Sequence, residues 1–318
     1  MDSTFVVGID VGGQTSKLGV VDARGAVLAQ TVIRTDTYSE VEPYIAELAE
    51  AVKKIIRESG TEGKVRGIGV GAPNGNYYTG TIENAPNLLW GRQRVEFAKL
   101  LSEAMDGLPV ALTNDANAAA VGEMTYGAAR GMKNFIMITL GTGVGSGIVI
   151  NGEVVYGHDG FAGELGHVAA VRNNGRTCGC GKTGCLETYA SATGVARTAR
   201  EWLELSDEPS VLRSLDTIAS KDVYEAAKDG DKLALKIFEF TGKILGRSFA
   251  DFIAFSSPEA IVLFGGLARA KEFLNEPIVE AMNANVLPLW RDKVKVVYSQ
   301  LKESDAAILG ASALAWEL

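Results

Sequence analysis

Apolar positions along the chain fall into two blocks that share one order. The first opens with a continuous apolar run at 5–10, FVVGID, then Gly12 and Gly13, then a second run at 17–21. That pattern predicts a strand hairpin with a glycine-rich tip. A third strand is predicted at 26–34. From 40 to 59, Val41, Ile45, Leu48, Val52, Ile55 and Ile56 recur at helical spacing, and Gly60 closes the segment. An apolar strand at 65–71 runs into the loop signal Ala72-Pro73-Asn74-Gly75. A helix at 95–105, a short strand at 110–113 and a small-residue helix at 116–126 end the block.

The pattern then restarts. A strand at 135–140 leads into Gly141-Thr142-Gly143-Val144-Gly145, a returning strand at 147–150 and a third at 153–156. Phe5 falls on Phe135 and Gly12 on Gly141, with Gly19 and Gly147 nearly in register, so the hairpin recurs after roughly 130 residues. That period is too long for a solenoid and fits a duplicated domain. A helical insert is predicted over 188–229, and its chemistry is silent. Beyond it follow a helix at 232–253, a strand at 260–264 ending in Gly265-Gly266, a helix near 277–284, a strand at 294–298 and a last helix at 304–316.

Composition adds limits to this α/β pattern. A length of 318 residues exceeds one comfortable core, and 47% hydrophobic with 22% charged residues is the balance of a soluble globular protein. The net charge of −8 and the absence of a basic stripe argue against nucleic acid as a partner. No apolar run approaches a membrane span, and the N-terminus starts on a strand pattern without the charged and apolar regions of a secretory signal. A cytoplasmic protein is expected.

All three cysteines, Cys178, Cys180 and Cys185, fall within eight residues, and His167 lies eleven residues upstream of the first. Three thiolates and one imidazole make a complete tetrahedral set for a closed structural zinc site, and Gly179, Gly181 and Gly184 allow a tight loop around the ion. The competing reading is idle thiols or a labile disulfide, since Cys-x-Cys is less typical of zinc than Cys-x-x-Cys. Glu164 and Glu187 flank the cysteine loop. A metal knot would fix these carboxylates relative to each other as acceptors for a small polar substrate; otherwise they are two solvated glutamates.

The two glycine-rich tips carry Gln14, Thr15 and Ser16 in one case and Thr142 and Ser146 in the other, with Thr139 on the strand before. Neither is a Walker loop or a GxGxxG turn. As a duplicated pair they read as backbone N–H concavities for a phosphate chain, and singly as tight turns. Asp10, at the end of the first strand, is placed to hold a hydrated Mg2+ on those phosphates. Asp115, in Asn114-Asp115-Ala116-Asn117, reads either as a helix cap or as a general base that accepts a hydroxyl proton during attack on a γ-phosphate. Neighbouring Asn114 would orient the substrate. The polar loop with Asn84, Pro86 and Asn87 reads alone as an Asn-Pro turn.

Taken in order, Asp10-Val11-Gly12-Gly13, Asn84-Ala85-Pro86-Asn87-Leu88, Asn114-Asp115-Ala116-Asn117-Ala118, Leu140 to Gly145, Glu164-Leu165-Gly166-His167, Cys178-Gly179-Cys180-Gly181, Gly184-Cys185-Leu186-Glu187 and Gly265-Gly266 resemble the bacterial ROK (repressor, open reading frame, kinase) sugar kinases. The resemblance spans nearly the whole chain, and its Glu-x-Gly-His and Cys-x-Cys-Gly-x-x-Gly-Cys-x-Glu blocks are highly specific. It implies the duplicated actin-like ATPase (ribonuclease H-like) fold, with two α/β domains flanking a cleft. The small domain would be 1–113, completed by the helix 304–318; the large domain would be 114–303, carrying the zinc loop and the insert. By the same resemblance ATP phosphates meet Asp10, Gly12, Gly13, Gln14, Thr15, Gly141, Thr142 and Gly143, while Gly265 and Gly266 meet adenosine. Asp115 would be the base. Asn87, Asn114, Asp115, Glu164, His167 and Glu187 would bind the sugar, and His167, Cys178, Cys180 and Cys185 would hold zinc. A homodimer or higher homo-oligomer is expected.

The chain departs from the family pattern twice. Gln14 stands where threonine is usual, and Gly71-Ala72-Pro73-Asn74-Gly75 replaces a Gly-x-Pro-Gly loop and is one residue shorter towards Gly80. The expected function is ATP- and Mg2+-dependent phosphorylation of the C6 hydroxyl of a hexose, with glucose first and mannose or an N-acetylhexosamine as alternatives. A sugar-responsive repressor is the alternative of another class. It is disfavoured because Asp10 leaves no room for a preceding helix-turn-helix and the charge is wrong for DNA. A catalytically dead sugar-binding module is disfavoured by the presence of both Asp10 and Asp115.

Overall fold

The computed structural model describes residues 4–318, and the chain forms two compact units. The first comprises the chain up to Met132 together with Glu153–Gly163 and Gln300–Leu318. Its sheet is built from β1 (Phe5–Val11), β2 (Thr15–Asp22), β3 (Val27–Arg34), β4 (Val65–Gly71) and β7 (Val110–Thr113), in the order β3-β2-β1-β4-β7. A two-stranded ribbon, β5 (Gly75–Asn76) with β6 (Thr81–Ile82), follows β4. The helices are α1 (Val41–Glu58), α2 (Phe97–Ala104) and α3 (Asp115–Tyr126), with α9 (Glu303–Leu314) from the end of the chain. Strand β1 is antiparallel to β2 and parallel to β4. Helix α1 forms because its apolar residues line one stripe, and Tyr44, Ile45, Leu48, Val52 and Ile55 are buried there against Val7, Ile9 and Val11.

The opposite face of this sheet receives α9, and glycines decide how closely. Gly19, Gly8 and Gly69 lie side by side on β2, β1 and β4. A Cβ on Gly8 would strike the Ile308 carbonyl, one on Gly69 the Ala311 carbonyl, and one on Gly19 would sit 2.9 Å from the Ile308 side chain. The three form a trough in which the helix backbone rests on the strands. Helix α3 packs on the same α9, at Gly122 against Gly310. The first unit therefore runs past residue 113 and takes in α3 as well.

The second unit repeats the hairpin. It contains β8 (Phe135–Leu140), β9 (Val144–Ile150), α4 (Glu187–Ala190), α5 (Ala192–Leu205), α6 (Ser220–Lys228), α7 (Lys232–Ser256), β11 (Ala260–Phe264), α8 (Lys271–Asn285) and β12 (Lys295–Tyr298). The short β10 (Glu153–Val154) counts with the first unit. Strand β8 lies between antiparallel β9 and parallel β11, and β12 lies beyond β11. This matches the placement of β1 between β2 and β4, so the duplication read in the sequence is a duplication of topology. Helix α8 begins six residues before the predicted 277. Pro277 lies inside it, its ring against Gly242 of α7, and Gly242 and Gly246 together let the two helices pack closely. Among the described residues no helix is long and apolar enough to cross a membrane.

Candidate active site

Asp10 and Asp115 come from different elements of the first unit. Asp10 is the penultimate residue of β1, paired with Lys17 and with Gly71. Burial, then the neighbouring Asp115, pushes its carboxyl up to about 6; Lys17 acts the other way. Burial also raises the Asp115 carboxyl, opposed by its hydrogen bond from the Ala116 N–H at 2.8 Å. Two carboxylates set this close, with one lysine to offset them, suit a site that takes up a hydrated cation. Asp115 is not the helix cap. That role falls to Asn114, whose Oδ1 accepts the Asn117 N–H at 2.7 Å, leaving Asp115 as the first residue of α3. The bland reading of Asp115 is thereby removed, and Asn114 keeps its amide NH2 for a ligand.

Each hairpin tip spends some of its N–H groups internally. In the second tip, Gly141 donates to the Gly143 carbonyl, Val144 to Glu187 Oε2 at 3.0 Å and Gly145 to Thr139 Oγ1. Thr142 and Gly143 keep N–H groups with no protein acceptor among the described residues. In the first, Gly12 donates to the Thr15 carbonyl, and the Gln14 carbonyl accepts from Thr35, while its side chain stays exposed. The start of α5 pins the second tip: Ala192 N–H and Thr193 Oγ1 donate to the carbonyls of Gly141 and Thr142. Gly265 has φ +104° and sits against Leu140, which brings Gly265-Gly266 beside this tip. Next to Gly266 is a hollow of about 300 Å³, walled by Ser220, Lys221, Tyr224 and Glu225 of α6 and by Leu267 and Arg269. The α6 residues were not readable as a site, because only an amphipathic helix is legible there.

The cysteine loop closes as the spacing predicts. One ligand atom from each of His167, Cys178, Cys180 and Cys185 lies within 4.8 Å of all the others. The Cys180 and Cys185 sulfurs are 3.7 Å apart, as are Cys178 Sγ and His167 Nδ1. A tetrahedral ion with Zn–S bonds of about 2.3 Å needs S···S edges of about 3.8 Å, so the set is compatible with such an ion. Burial and the adjoining sulfurs push the Cys185 thiol up to about 12, and burial raises Cys178, while the Lys182 N–H lowers Cys180. Three thiols so crowded would ionise together only with a cation among them. His167 turns its other nitrogen, Nε2, towards Glu164 at 4.0 Å. Glu187 Oε1 lies 3.8 Å from Cys178 Sγ. Both carboxylates thus border the knot, as the spacing implied.

In the loop that departs from the family pattern, Asn74 adopts φ +51°, a left-handed conformation that asparagine tolerates, and its amide donates to the carbonyls of Glu83 and Asn84 at 3.0 Å. The turn survives and braces the segment leading to Asn87, which is exposed.

The ROK family profile matches residues 6–317. The chain belongs to the ROK family. It is 38% identical to the glucokinase of Halalkalibacterium halodurans over 98% of this chain and 94% of that protein. The ROK glucokinase of Streptomyces griseus, solved with glucose and AMPPNP, superposes with a TM-score of 0.79 at 32% identity, covering 99% of this chain and all of that one. The fold is thus the actin-like ATPase fold of the ROK sugar kinases. The family also includes regulators: the xylose repressor of Caldicellulosiruptor bescii is 27% identical over 98% of this chain, which spans 78% of that protein.

Proposed function

We propose that this ROK protein is an ATP- and Mg2+-dependent glucokinase that phosphorylates the C6 hydroxyl. The observation that carries the reading is Asp115, a carboxylate raised by burial, freed from capping by Asn114 and set beside Asp10. Near-full-length similarity to glucokinases supports kinase over regulator. Asp115 takes the proton of the C6 hydroxyl as its oxygen bonds to the γ-phosphorus and the bond from that phosphorus to the β–γ bridging oxygen breaks, releasing ADP. Asp10 would hold the hydrated Mg2+, which neutralises charge on the phosphates. The Thr142 and Gly143 N–H groups, with the first tip, receive the phosphate chain, and the hollow beside Gly266 suits the nucleoside. Asn87, Asn114, Glu164, His167 and Glu187 hold sugar hydroxyls. Zinc on His167 Nδ1 and the three sulfurs would leave Nε2 to the sugar, so one histidine serves both tasks.

The test is kcat/KM for glucose, mannose, N-acetylglucosamine and N-acetylmannosamine at saturating ATP. Glucose should lead, with mannose second, on the reading that the short loop at Asn74 blocks the space an acetyl group would need. An N-acetylated sugar outrunning glucose would overturn the glucose assignment; no turnover of any sugar would overturn the kinase reading.

Acidity offers a second check. Asp10 must be ionised to bind the cation, and Asp115 to accept a proton. With Asp10 at about 6 against an ordinary 3.8, kcat/KM should fall as pH drops through about 6. Stability moves the other way for these groups. A raised carboxyl binds more protons in the folded state, so its contribution is fully present below the unfolded value and is lost as pH rises through 6. Activity lost between pH 6.5 and 5 with no parallel fall in Tm, about the range those values set, is the expected result.

A further inference from the structure

One glycine in each hairpin tip touches a residue of the proposed sugar set rather than open space. Gly13 lies between β1 and β2, and Gly143 lies between β8 and β9. Neither has left-handed backbone. An alanine at Gly143 would run its Cβ into the Glu187 carboxylate, and the nearest other atoms are also Glu187's. An alanine at Gly13 would place its Cβ 2.8 Å from the Asn87 carbonyl oxygen and 3.3 Å from the Asn87 Cβ. Glu187 is further tied to the tip by the bond from Val144 N–H. Close approach, and not backbone strain, therefore explains why glycine stands at both places.

We propose that Gly143, and Gly13 in the other tip, are positioning residues for the sugar, each seating a sugar-holding residue directly on a phosphate-binding tip. Resting on the kinase reading above, this assigns a sugar-side role to two glycines whose pattern reads as nucleotide binding. Because the N–H of Gly143 survives in alanine, the phosphate contact is kept while the carboxylate of Glu187 is pushed aside and loses its bond to Val144.

The test is a double-mutant cycle with Gly143→Ala, Glu187→Ala and both, measuring glucose Kd by calorimetry and KM for glucose and ATP. Gly143→Ala should raise glucose Kd at least about tenfold with ATP KM within about twofold, and it should cost nothing further in the Glu187→Ala background, where the obstructed side chain is gone. Additive losses, or a rise in ATP KM with glucose Kd unchanged, overturn the proposal. A wild-type protein that binds no glucose overturns the glucose assignment above, and this inference with it. If Gly143→Ala does not fold, Gly13→Ala decides: glucose KM should rise more than ATP KM, and the reverse ranking refutes it.

Discussion

Replacing Asp115 by asparagine should lower kcat by at least about 10²-fold while glucose still binds, the largest loss expected of any single change here. Asparagine keeps the shape and the oxygen that accepts the Ala116 N–H, so the start of α3 is undisturbed. The cap belongs to Asn114, whose bond to the Asn117 N–H does not involve Asp115. What the variant loses is proton acceptance alone. Burial raises the Asp115 carboxyl, so ionising it opposes folding at neutral pH, and removing it should leave Tm unchanged or higher. Asn114→Ala is the contrast: losing the cap should cost about 1 kcal/mol of stability. Asp10 also responds, because part of its upward shift comes from Asp115; the acid limb of kcat/KM should move to lower pH in what activity remains. Near wild-type turnover in Asp115→Asn would reduce the residue to a structural one.

What was legible in the sequence is what depends on local pattern. The paired hairpins follow from continuous apolar runs bounded by glycine, α1 from its spacing, and the clustered cysteine loop from the density of cysteine in a chain that has no others. What escaped depends on distant parts of the chain. Pro277 looks like a helix start because proline favours the first turn, yet α8 runs through it, held by packing on Gly242 and Gly246 of α7. The exchange of roles between Asn114 and Asp115 is a shift of one residue at a strand-to-helix turn, finer than any propensity resolves. Glycine identity was visible everywhere, but its reason was not: Gly8, Gly19 and Gly69 admit α9, Gly143 admits Glu187, and only Gly265 among these takes positive φ. The contribution of α6 to the hollow beside Gly266 left no local mark at all.

Removing the metal should loosen sugar binding before it unfolds the protein. The large apolar clusters of both units are built on the sheets and the long helices, and the knot joins its core through Leu186 and through Leu165 and Val168 on either side of His167. The knot instead fixes His167, Glu164 and Glu187, through the ring that joins Cys178 to Glu164 and through the contact of Cys178 with Glu187. Without an ion, Cys178 and Cys185 are driven to the neutral thiol by burial, and the four ligand atoms lose the charge attraction that a bound cation would add to the loop's own hydrogen bonds. Freshly purified protein should carry about one zinc per chain by elemental analysis. Chelation should raise glucose Kd by about 10- to 100-fold, the range seen when the support of a site is lost, and zinc should restore it. Nucleotide binding should change far less, since the Thr142 and Gly143 N–H groups sit in the tip between β8 and β9, whose Gly141 and Thr142 carbonyls are pinned by α5. Cys185→Ser, at a buried ligand, should reproduce the chelated state without restoration by zinc. Active protein free of zinc, or a glucose Kd untouched by its removal, would leave the cysteines as ordinary thiols.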